Sequence, residues 1–406
     1  MTKRLTVNII GLGYIGLPTA AIIAKNGHRV LGVDIDQELV DKINQGQFSN
    51  LEPGLDEALE AASALGNLRA SCKAESANVH MICVPTPLMT DSALPMPDMS
   101  YIFEAIKSLI DILREDDLLL IESTIPVGLS AQVSSFIEDI CSDLRNVDIA
   151  HCPERVIPGN MMWELVNNDR IVGGLSDEAT DRAAEFYRSF VKGEVVKTNA
   201  QTAELCKLSE NSFRDVNIAF ANELSMICDQ QNVDIWELIE LANRHPRVNI
   251  LQPGVGVGGH CIAVDPWFIV ANNEKDTKII QTARQVNTSK TDWAVEKINS
   301  SIKKANNNGV TTPKIGCLGI AFKPDVDDVR ESPALDVVER LINAGNNVMV
   351  VDPYVANNMP FELFKLEEVL RDADILVVLV KHKEFKGLTM NKIVKSKLLL
   401  NFGGKL

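Results

Sequence analysis

The sequence predicts an α/β protein made of two doubly wound domains joined by a long central helical region. Three observations predict this fold class. Apolar, β-rich runs alternate with helical patterns over residues 1–199, a long helical pattern follows over 200–305, and the strand–helix rhythm returns over 306–406. A chain of 406 residues can form several domains that each bury a core. We therefore expect domain boundaries near residues 199 and 305.

Composition limits the classes of function. The formal net charge is −15, and such an acidic chain does not suit nucleic acid or an anionic membrane surface as a partner. No apolar segment approaches the ~20 residues of a membrane span. Eight cysteines are scattered without a CxxC or paired spacing. We expect reduced thiols, a cytoplasmic location, and neither a disulfide framework nor a metal site.

The amino-terminal strand ends in a glycine pattern. The run LTVNII leads into GLGYIG, where Gly11, Gly13 and Gly16 form G-x-G-x-x-G; a helical stretch follows, and the next strand ends at Asp34. This context is typical of a Rossmann-like dinucleotide site, with a tight turn at Gly11, pyrophosphate approach at Gly13 and helix packing at Gly16. Asp34 would accept from the adenosine ribose and repel a 2′-phosphate. The predicted cofactor is therefore NAD rather than NADP.

Further predicted strands of the first domain end in polar residues. Thr86, Thr124 and Glu154 follow three of these strands. In doubly wound sheets, ligands bind beyond the carboxyl ends of the strands, so these side chains would line one crevice. The alternatives stay open: each threonine could cap a turn or a helix, and Glu154 could form a solvated pair with Arg155.

The central helical pattern carries a polar face. Lys207, Asn211 and Arg214 recur at i, i+4 and i+7, within an arc of roughly 60 degrees on a helix. A solvated face is the usual explanation. The rest of the helix, including Leu205 on the opposite side, is too apolar for a surface helix. A half-buried Lys207 near a substrate hydroxyl is a credible proton acceptor.

A glycine-rich loop ends the central region. The stretch PGVGVGGHCIAVD, residues 253–265, places four glycines before Cys261 and has Asp265 four residues after the thiol. Glycine allows backbone to approach a ligand closely, and a thiolate is a strong nucleophile. The alternative is an inert cysteine on a tight turn. Basic residues that include His245 and Arg247 precede the loop and suit a diphosphate or the end of a helix.

The last domain repeats the α/β rhythm. NNNGVTTP, residues 306–313, predicts a linker, and KIGCLGIAF then begins an α/β unit without the complete glycine pattern. Lys323 and Arg330 lie on the loop after its first strand. The unit is interpreted as a second nucleotide site, with a purely structural, dimer-forming domain as the alternative.

Together these stretches resemble the UDP-glucose/GDP-mannose dehydrogenase family over essentially the whole chain. In HCIAVDP, Val264 stands where members that act on UDP-glucose or GDP-mannose usually carry lysine. The resemblance therefore implies a UDP-N-acetylhexosamine substrate, UDP-N-acetyl-D-mannosamine first and UDP-N-acetylglucosamine as the alternative. The matching stretches are GLGYIGLPTA, VPTP, ESTIPVG, CPERVIPG, CKLSENSFRDVNIAFANEL, ANRHPRVNILQPGVGVGGHCIAVDPWFI and AFKPDVDDVRESPA.

The resemblance implies a four-electron oxidation of a sugar C6 alcohol to a carboxylate with two molecules of NAD. Cys261 matches the nucleophile that forms a thiohemiacetal and then a thioester, and Lys207 with Asn211 matches the groups that move protons and steady the oxyanion. Asp265, Thr124 and Glu154 match groups around the hydrolytic water. The catalytic positions are Cys261, Lys207, Asn211, Asp265, Glu154 and Thr124.

Binding positions follow from the same resemblance. With the glycines and Asp34 described above, the NAD contacts are Gly11, Gly13, Tyr14, Ile15, Gly16, Asp34, Thr86, Thr124 and Arg330. The substrate contacts are Arg155, Val156, Lys207, Asn211, Arg214, His245, Arg247, Gly258 and Lys323. Members of the family dimerise through the central helix, which implies a homodimer. The chain departs from its relatives at Asn401, where an aspartate is common after the last strand.

Two other functions remain as alternatives. A two-electron, 3-hydroxyacid-type dehydrogenase shares the first domain and the Lys/Asn helix face, but it needs neither Cys261 nor a third domain. A non-catalytic nucleotide-sugar or NAD sensor would have no use for the complete set of Lys207, Asn211, Cys261 and Asp265. The presence of Cys261 with a third domain, and of the complete set of four residues, favours the four-electron enzyme over both alternatives.

Overall fold

The protein is represented by a computed structural model. It describes residues 4–47, 52–89, 94–144, 147–157, 159–356, 358–390 and 392–405. Pro158 of the CPERVIPG stretch lies outside the described residues. The strands are β1 Thr6–Ile10, β2 Arg29–Val33, β3 Leu68–Ser71, β4 Val79–Ile82, β5 Leu88–Met89, β6 Met96–Pro97, β7 Leu118–Ile121, β8 Asp148–His151, β9 Arg170–Gly174, β10 Val195–Asn199, β11 Lys314–Leu318, β12 Asn347–Val351, β13 Ile375–Val378 and β14 Leu398–Asn401.

Helices alternate with these strands in the first and last parts of the chain and dominate the middle. They are α1 Gly16–Lys25, α2 Gln37–Asn44, α3 Leu55–Ala64, α4 Ser100–Lys107, α5 Leu129–Ile140, α6 Met161–Asn167, α7 Asp177–Arg188, α8 Ala200–Gln231, α9 Ile235–Ala242, α10 Asp265–Asn272, α11 Lys278–Asn307, α12 Pro333–Asn343, α13 Leu366–Asp372 and α14 Lys392–Lys395. Across the described ranges, we find no helix with both the length and the apolar character that a membrane crossing requires.

The chain packs into two compact units. Unit 1 comprises residues 1–209 and 267–272, and unit 2 comprises residues 210–266 and 273–406. The divisions fall inside α8 and α10, because these helices contribute residues to both units. The three-part division at residues 199 and 305 stays a prediction.

Unit 1 contains an eight-stranded sheet. Its strand order is β10-β9-β8-β7-β4-β1-β2-β3, and every neighbouring pair is parallel except β8 with β9. The central strands are buried on both faces, as the continuous apolar run LLLI in β7 predicts. Strand β1, TVNII, is buried as well, including its polar residue Asn8. The chain leaves β1 toward β2 on one side and later returns to β4 on the other. The carboxyl ends of β1 and β4 therefore form a topological switch point.

Unit 2 contains a parallel four-stranded sheet in the order β12-β11-β13-β14. Its hydrophobic core includes residues of α11 and α12, among them Ala294, Ile298 and Val337. The α11 helix runs to Asn307, so the predicted linker at 306–313 begins two residues too early. The prediction of an α/β fold with two Rossmann-like sheets and a central helical region is confirmed.

The central helix α8 leaves several large apolar side chains in solvent. Phe213 is 68% exposed and Phe220 is 53% exposed, and Ile227 continues the same i, i+7, i+14 line. Leu205 is also exposed, so its expected place on a buried apolar side is wrong. Within a single chain, packing covers one side of α8 and leaves an apolar stripe open.

Candidate active site

The glycine pattern after β1 has a separate structural reason at each position. Gly11 has a φ of +95°, and a Cβ there would lie 2.7 Å from the Cys83 carbonyl oxygen. A Cβ on Gly16 would lie 1.8 Å from the Gly11 carbonyl oxygen, so only glycine lets α1 start here. A Cβ on Gly13 would meet no atom of the described residues within 4 Å. Gly13 therefore faces open space, which suits the approach of a pyrophosphate.

Asp34 lies at the end of β2, beside this loop. Its Oδ2 accepts from the Leu12 backbone N–H at 2.8 Å, and its Oδ1 accepts from the Asp36 N–H at 3.0 Å. Each carboxylate oxygen keeps a further lone pair for a ribose hydroxyl. The next residue, Ile35, is 96% exposed and was not among the residues predicted from the sequence. An apolar residue directly after the strand-end aspartate was the available signal.

Three polar residues lie beyond neighbouring strand ends. Thr86 follows β4, Thr124 follows β7 and Glu154 follows β8, and these strands are adjacent and parallel. All three side chains are partly buried. Because the strands point the same way, the three residues share the carboxyl edge of the sheet with the glycine loop and Asp34.

Glu154 pairs with a buried arginine that the sequence analysis missed. The Arg170 Nη1 donates to Glu154 Oε2 at 2.8 Å, and Arg170 is 3% exposed. The guanidinium of Arg155 instead donates to the Asp169 carbonyl at 2.5 Å, while its backbone N–H donates to Glu154. The alternative of a solvated Glu154–Arg155 pair is therefore wrong. The available signal in the sequence was an arginine at the first position of the otherwise apolar strand RIVGG, which indicates a buried charge that needs a partner.

A second buried carboxyl lies behind Glu154. Glu122 accepts from the Tyr187 hydroxyl at 2.8 Å. Burial raises the pKa of Glu122 to about 7, the positive charge of Arg170 acts in the opposite direction, and the negative charge of Glu154 raises it further. Glu122, Glu154 and Arg170 thus form one electrostatic cluster under the carboxyl edge of the sheet.

Lys207 is positioned by an anchor one turn earlier on α8. The buried Glu204 accepts from the Gly128 N–H at 2.6 Å and the Ser130 N–H at 3.0 Å, at the start of α5. These contacts attach α8 to the segment that follows Thr124. Burial lowers the pKa of His151 to about 3, and the charge of Lys207 contributes to the shift, so this histidine is neutral. Lys207 itself is partly buried.

In unit 2, Asn211 and Asp265 are in direct contact. The Asn211 Nδ2 donates to Asp265 Oδ2 at 2.6 Å, and both residues are buried. The Cys261 carbonyl accepts from the Val264 N–H at 3.1 Å and the Asp265 N–H at 2.8 Å, which makes a turn that leads into α10. Cys261 itself is exposed. The thiol is thus on an accessible turn, and the alternative of a buried, inert cysteine is wrong.

The glycine loop is held by buried polar side chains from two helices. Asn222 Oδ1 accepts from the Gly254 N–H at 2.9 Å, and Asn222 Nδ2 donates to Asn287 Oδ1 at 2.9 Å. Thr291 donates to the Val255 carbonyl at 2.8 Å. A Cβ on Gly258 would lie 2.2 Å from the Glu331 carbonyl oxygen. Close packing thus explains the glycine at 258, and its substrate contact stays a prediction.

The basic candidates of unit 2 lie near the surface. Arg214, His245 and Arg247 are exposed, and the Lys323 Nζ lies 5.5 Å from the centre of the Phe322 ring. Arg330 is held in a two-point pair with Asp328, with Nε–Oδ1 and Nη2–Oδ2 distances of 3.0 and 2.7 Å. Cations at the surface can reach a diphosphate without a large desolvation cost.

The predicted residues fall into two groups, each described within its own unit. The groups share α8, on which Lys207 and Asn211 lie one turn apart. Among the described residues, no cluster of three or more His, Cys, Asp or Glu is arranged to hold a metal ion. Unit 1 carries Gly11, Gly13, Tyr14, Ile15, Gly16, Asp34, Thr86, Thr124, Glu154, Arg155, Val156 and Lys207; unit 2 carries Asn211, Arg214, His245, Arg247, Gly258, Cys261, Asp265, Lys323 and Arg330.

Three successive parts of the chain match one protein family. Residues 5–191 match the NAD binding domain of the UDP-glucose/GDP-mannose dehydrogenase family, residues 201–289 match its central domain, and residues 316–402 match its UDP binding domain. The predicted family and the predicted cofactor, NAD, are confirmed by these matches.

Individual relatives are similar over nearly the whole chain. A protein of Campylobacter jejuni named UDP-N-acetyl-D-mannosamine dehydrogenase is 48% identical over 96% of this chain and 98% of its own length. The solved structure of UDP-D-ManNAc dehydrogenase from Pyrococcus horikoshii has a TM-score of 0.89 at 41% identity, covering 98% of this chain and 95% of that chain. A protein of Ralstonia solanacearum named NDP-N-acetyl-D-galactosaminuronic acid dehydrogenase is 45% identical over 98% of this chain and 96% of its own length.

Proposed function

Because this chain belongs to the UDP-glucose/GDP-mannose dehydrogenase family, we propose that it is an NAD-dependent UDP-N-acetyl-D-mannosamine 6-dehydrogenase. It would oxidise the sugar C6 alcohol to a carboxylate and release UDP-N-acetyl-D-mannosaminuronate. The 48% identity to a relative of that name, over 96% of the chain, is the observation that carries this proposal. Val264, in place of the lysine usual in UDP-glucose and GDP-mannose enzymes, supports the N-acetylhexosamine.

The residues around the switch point of unit 1 fit NAD. The open space beside Gly13 would take the pyrophosphate, Asp34 the adenosine ribose and the exposed Ile35 one face of the adenine. Tyr14, Ile15, Thr86, Thr124 and Arg330 complete the proposed contacts. When bound, NAD supplies the hydride acceptor.

Cys261 is the proposed nucleophile. Its thiolate would add to the C6 aldehyde and form a thiohemiacetal, whose loss of a hydride leaves a thioester. Water would then cleave the C–S bond, which releases the carboxylate and restores the thiol. Covalent capture keeps the aldehyde from leaving between the two oxidations. The exposed turn that carries Cys261 supports this role.

The remaining polar residues would handle protons and water. Lys207 would take the C6 hydroxyl proton, and Asn211 would stabilise the oxyanion and hold Asp265 through their hydrogen bond. Asp265, Thr124 and Glu154 would orient the hydrolytic water. The ion pair with Arg170 would hold the Glu154 side chain in place in this step.

Substrate binding and assembly complete the proposal. Arg155, Arg214, His245, Arg247 and Lys323 would contact the UDP-sugar with its diphosphate, and Val156 and Gly258 would contribute backbone and packing contacts. The exposed apolar line of Phe213, Phe220 and Ile227 supports a homodimer through α8, because burial of these side chains against a second copy would remove apolar surface from water. A cytoplasmic location belongs to the same proposal.

A second candidate concerns the sugar. The relative named NDP-N-acetyl-D-galactosaminuronic acid dehydrogenase is nearly as similar, at 45% identity. An N-acetylhexosamine of different ring stereochemistry, including UDP-N-acetylglucosamine, is therefore the alternative substrate. Pocket shape distinguishes such epimers by small energy differences.

The test is the amount of NADH formed per molecule of limiting sugar. UDP-N-acetylmannosamine should yield two NADH, and UDP-N-acetylglucosamine, UDP-N-acetylgalactosamine and UDP-glucose should react far more slowly. Cys261→Ser should form no uronate. One NADH per sugar would favour the two-electron dehydrogenase, and faster oxidation of another N-acetylhexosamine would favour the second candidate.

A further inference from the structure

Lys290, in the middle of α11, is a buried amine. It is 1% exposed, its Nζ lies 3.4 Å from the centre of the Trp293 ring, and it donates to Ser225 Oγ at 2.7 Å. Among the described residues, no carboxylate oxygen lies within 4.0 Å of this Nζ. An ammonium has three protons to donate, and one hydroxyl and one aromatic face leave it incompletely satisfied.

The electrostatics agree with this geometry. Burial lowers the pKa of Lys290 to about 7, the charge of Asp229 acts in the opposite direction, and the charge of Lys297 lowers it further. Asp229 is itself ion-paired with Lys297. The positive charge of Lys297 therefore largely offsets the attraction of Asp229 for Lys290. The Lys290 ammonium would therefore be stabilised by an additional anion.

A cavity of about 360 Å³ within unit 2 is lined by Lys290 and by its two contacts, Ser225 and Trp293. It lies between the end of α8, the start of α9, α11, strand β14 and the first residues of the glycine-rich loop, Pro253 and Gly254. Its apolar walls are formed by Trp236, Trp293, Leu399, Leu400 and Phe402. Cavities that bind small molecules have volumes of ~300–1,000 Å³ and combine apolar walls with a few converging polar groups. Size and lining therefore suit a compact, flat organic molecule.

The cavity touches the first two residues of the glycine-rich loop but none of the residues that the proposed reaction uses. Ser225 is about 21 Å from Asn211 along α8, at roughly 1.5 Å per residue. None of the residues assigned to NAD, to the substrate or to the thiol chemistry lines it. A ligand here would be an additional one.

We propose that this cavity binds a small aromatic carboxylate, with the carboxylate at the Lys290 ammonium and the ring against the apolar walls. The other titratable groups that face the cavity are Asp229 and Cys228 on α8, Asp234 before α9 and Lys297 on α11. Asp234 is occupied by the N–H groups of Trp236 and Glu237, and β14 contributes uncharged residues. Lys290 is thus the group that an incoming anion would pair with.

The test uses benzoate, benzamide and acetate with the complete chain in titration calorimetry at pH 7.5. Benzoate should bind once per chain. Benzamide lacks the charge and acetate lacks the ring, so each should bind at least about tenfold more weakly. Lys290→Met should weaken benzoate by a similar factor, whereas Lys303→Met, a matched change at an exposed position of the same helix, should leave it unchanged.

Proton uptake provides a second, independent measurement. Because the bound carboxylate favours the ammonium form of Lys290, benzoate should bind with uptake of a fraction of a proton at pH 7.5, measured in two buffers of different ionisation enthalpy. No benzoate binding, equal binding of benzamide, or binding without proton uptake would each overturn the proposal. The comparison with benzamide and the proton-uptake measurement need only wild-type protein, so they test the proposal even if Lys290→Met does not fold.

Discussion

The side chains of Asn211 and Asp265 meet in a buried hydrogen bond of 2.6 Å, which ties the polar face of α8 to the segment that carries Cys261. The two residues are 54 positions apart in the chain. A charged acceptor makes this bond stronger than a neutral pair. The contact therefore joins two features that the sequence shows only separately, the Lys/Asn helix face and the thiol loop.

Asn211→Ala should lower both stability and turnover. It removes one donor from the buried Asp265 carboxylate, which should cost about 1–3 kcal/mol of unfolding free energy. Turnover should fall far more than substrate affinity, because Asp265 would no longer be oriented. Urea unfolding and steady-state kinetics measure both effects. Gln230→Ala, at an exposed position of the same helix, is the control; a mutant with wild-type turnover would exclude this role for Asn211.

Gly258→Ala and Gly254→Ala should behave differently although they lie on one loop. A Cβ at 258 would be 2.2 Å from the Glu331 carbonyl oxygen, whereas a Cβ at 254 has its nearest contact, the Gly256 carbonyl oxygen, at 3.6 Å. Overpacking at 258 should cost about 1–3 kcal/mol and displace the loop before Cys261. Thermal unfolding and activity should be impaired at 258 and close to wild type at 254. Equal effects would contradict the packing explanation.

Gly13→Ala should weaken NAD binding without loss of stability. The added methyl would occupy open space among the described residues, so thermal unfolding of the cofactor-free protein should not change. The Michaelis constant for NAD should rise at least about tenfold, because the methyl would keep the pyrophosphate away from the backbone. Gly16→Ala is the contrasting variant: its Cβ would lie 1.8 Å from the Gly11 carbonyl oxygen, and the protein should be destabilised. An unchanged NAD constant in Gly13→Ala would argue against this site.

Arg170→Gln should be strongly destabilising. It leaves the Glu154 carboxylate without its buried partner at 2.8 Å, a change that typically costs about 3–5 kcal/mol. Arg69→Gln breaks an exposed pair with Glu75 and should cost less than about 1 kcal/mol. Denaturant unfolding of the two variants makes the comparison. Similar small losses would mean that Arg170 does not hold Glu154 in place.

Lys290→Met should change how stability depends on pH. The pKa of Lys290 is lowered from 10.5 to about 7, so between these values the unfolded chain binds more protons than the folded one. Wild-type stability should therefore gain up to about 1.4 kcal/mol per pH unit from this group as pH rises from 7 toward 10. The variant should be more stable than wild type at pH 6.5, and the advantage should shrink toward pH 10. A constant difference across that range would contradict the lowered pKa.

The fold and much of the candidate site were predictable because their signals are local in sequence. Apolar, β-rich runs predict strands, helical periodicity predicts helices, and a G-x-G-x-x-G between a strand and a helix has one common use. The common position of Thr86, Thr124 and Glu154 was predictable because residues at the ends of parallel strands share an edge. Cys261 could be proposed as the nucleophile because its glycine-rich loop is continuous in the chain.

Residues that act through distant contacts were not predictable. Arg170 in β9 pairs with Glu154, Glu204 accepts from the start of α5, and Asn222 on α8 holds Gly254. Each looks like an ordinary polar residue in its own segment, and its role depends on what packing brings beside it.

The sequence by itself determined the α/β class, the NAD cofactor and the family, because propensity, periodicity and glycine spacing are properties of short segments. Only the tertiary structure decided that Glu154 pairs with Arg170 rather than Arg155, that the Cys261 turn is exposed, and that Lys290 is buried beside a cavity. The reason is that burial and electrostatic partnership arise between segments far apart in the chain. The energy of a charge depends on which neighbours replace the water it has lost.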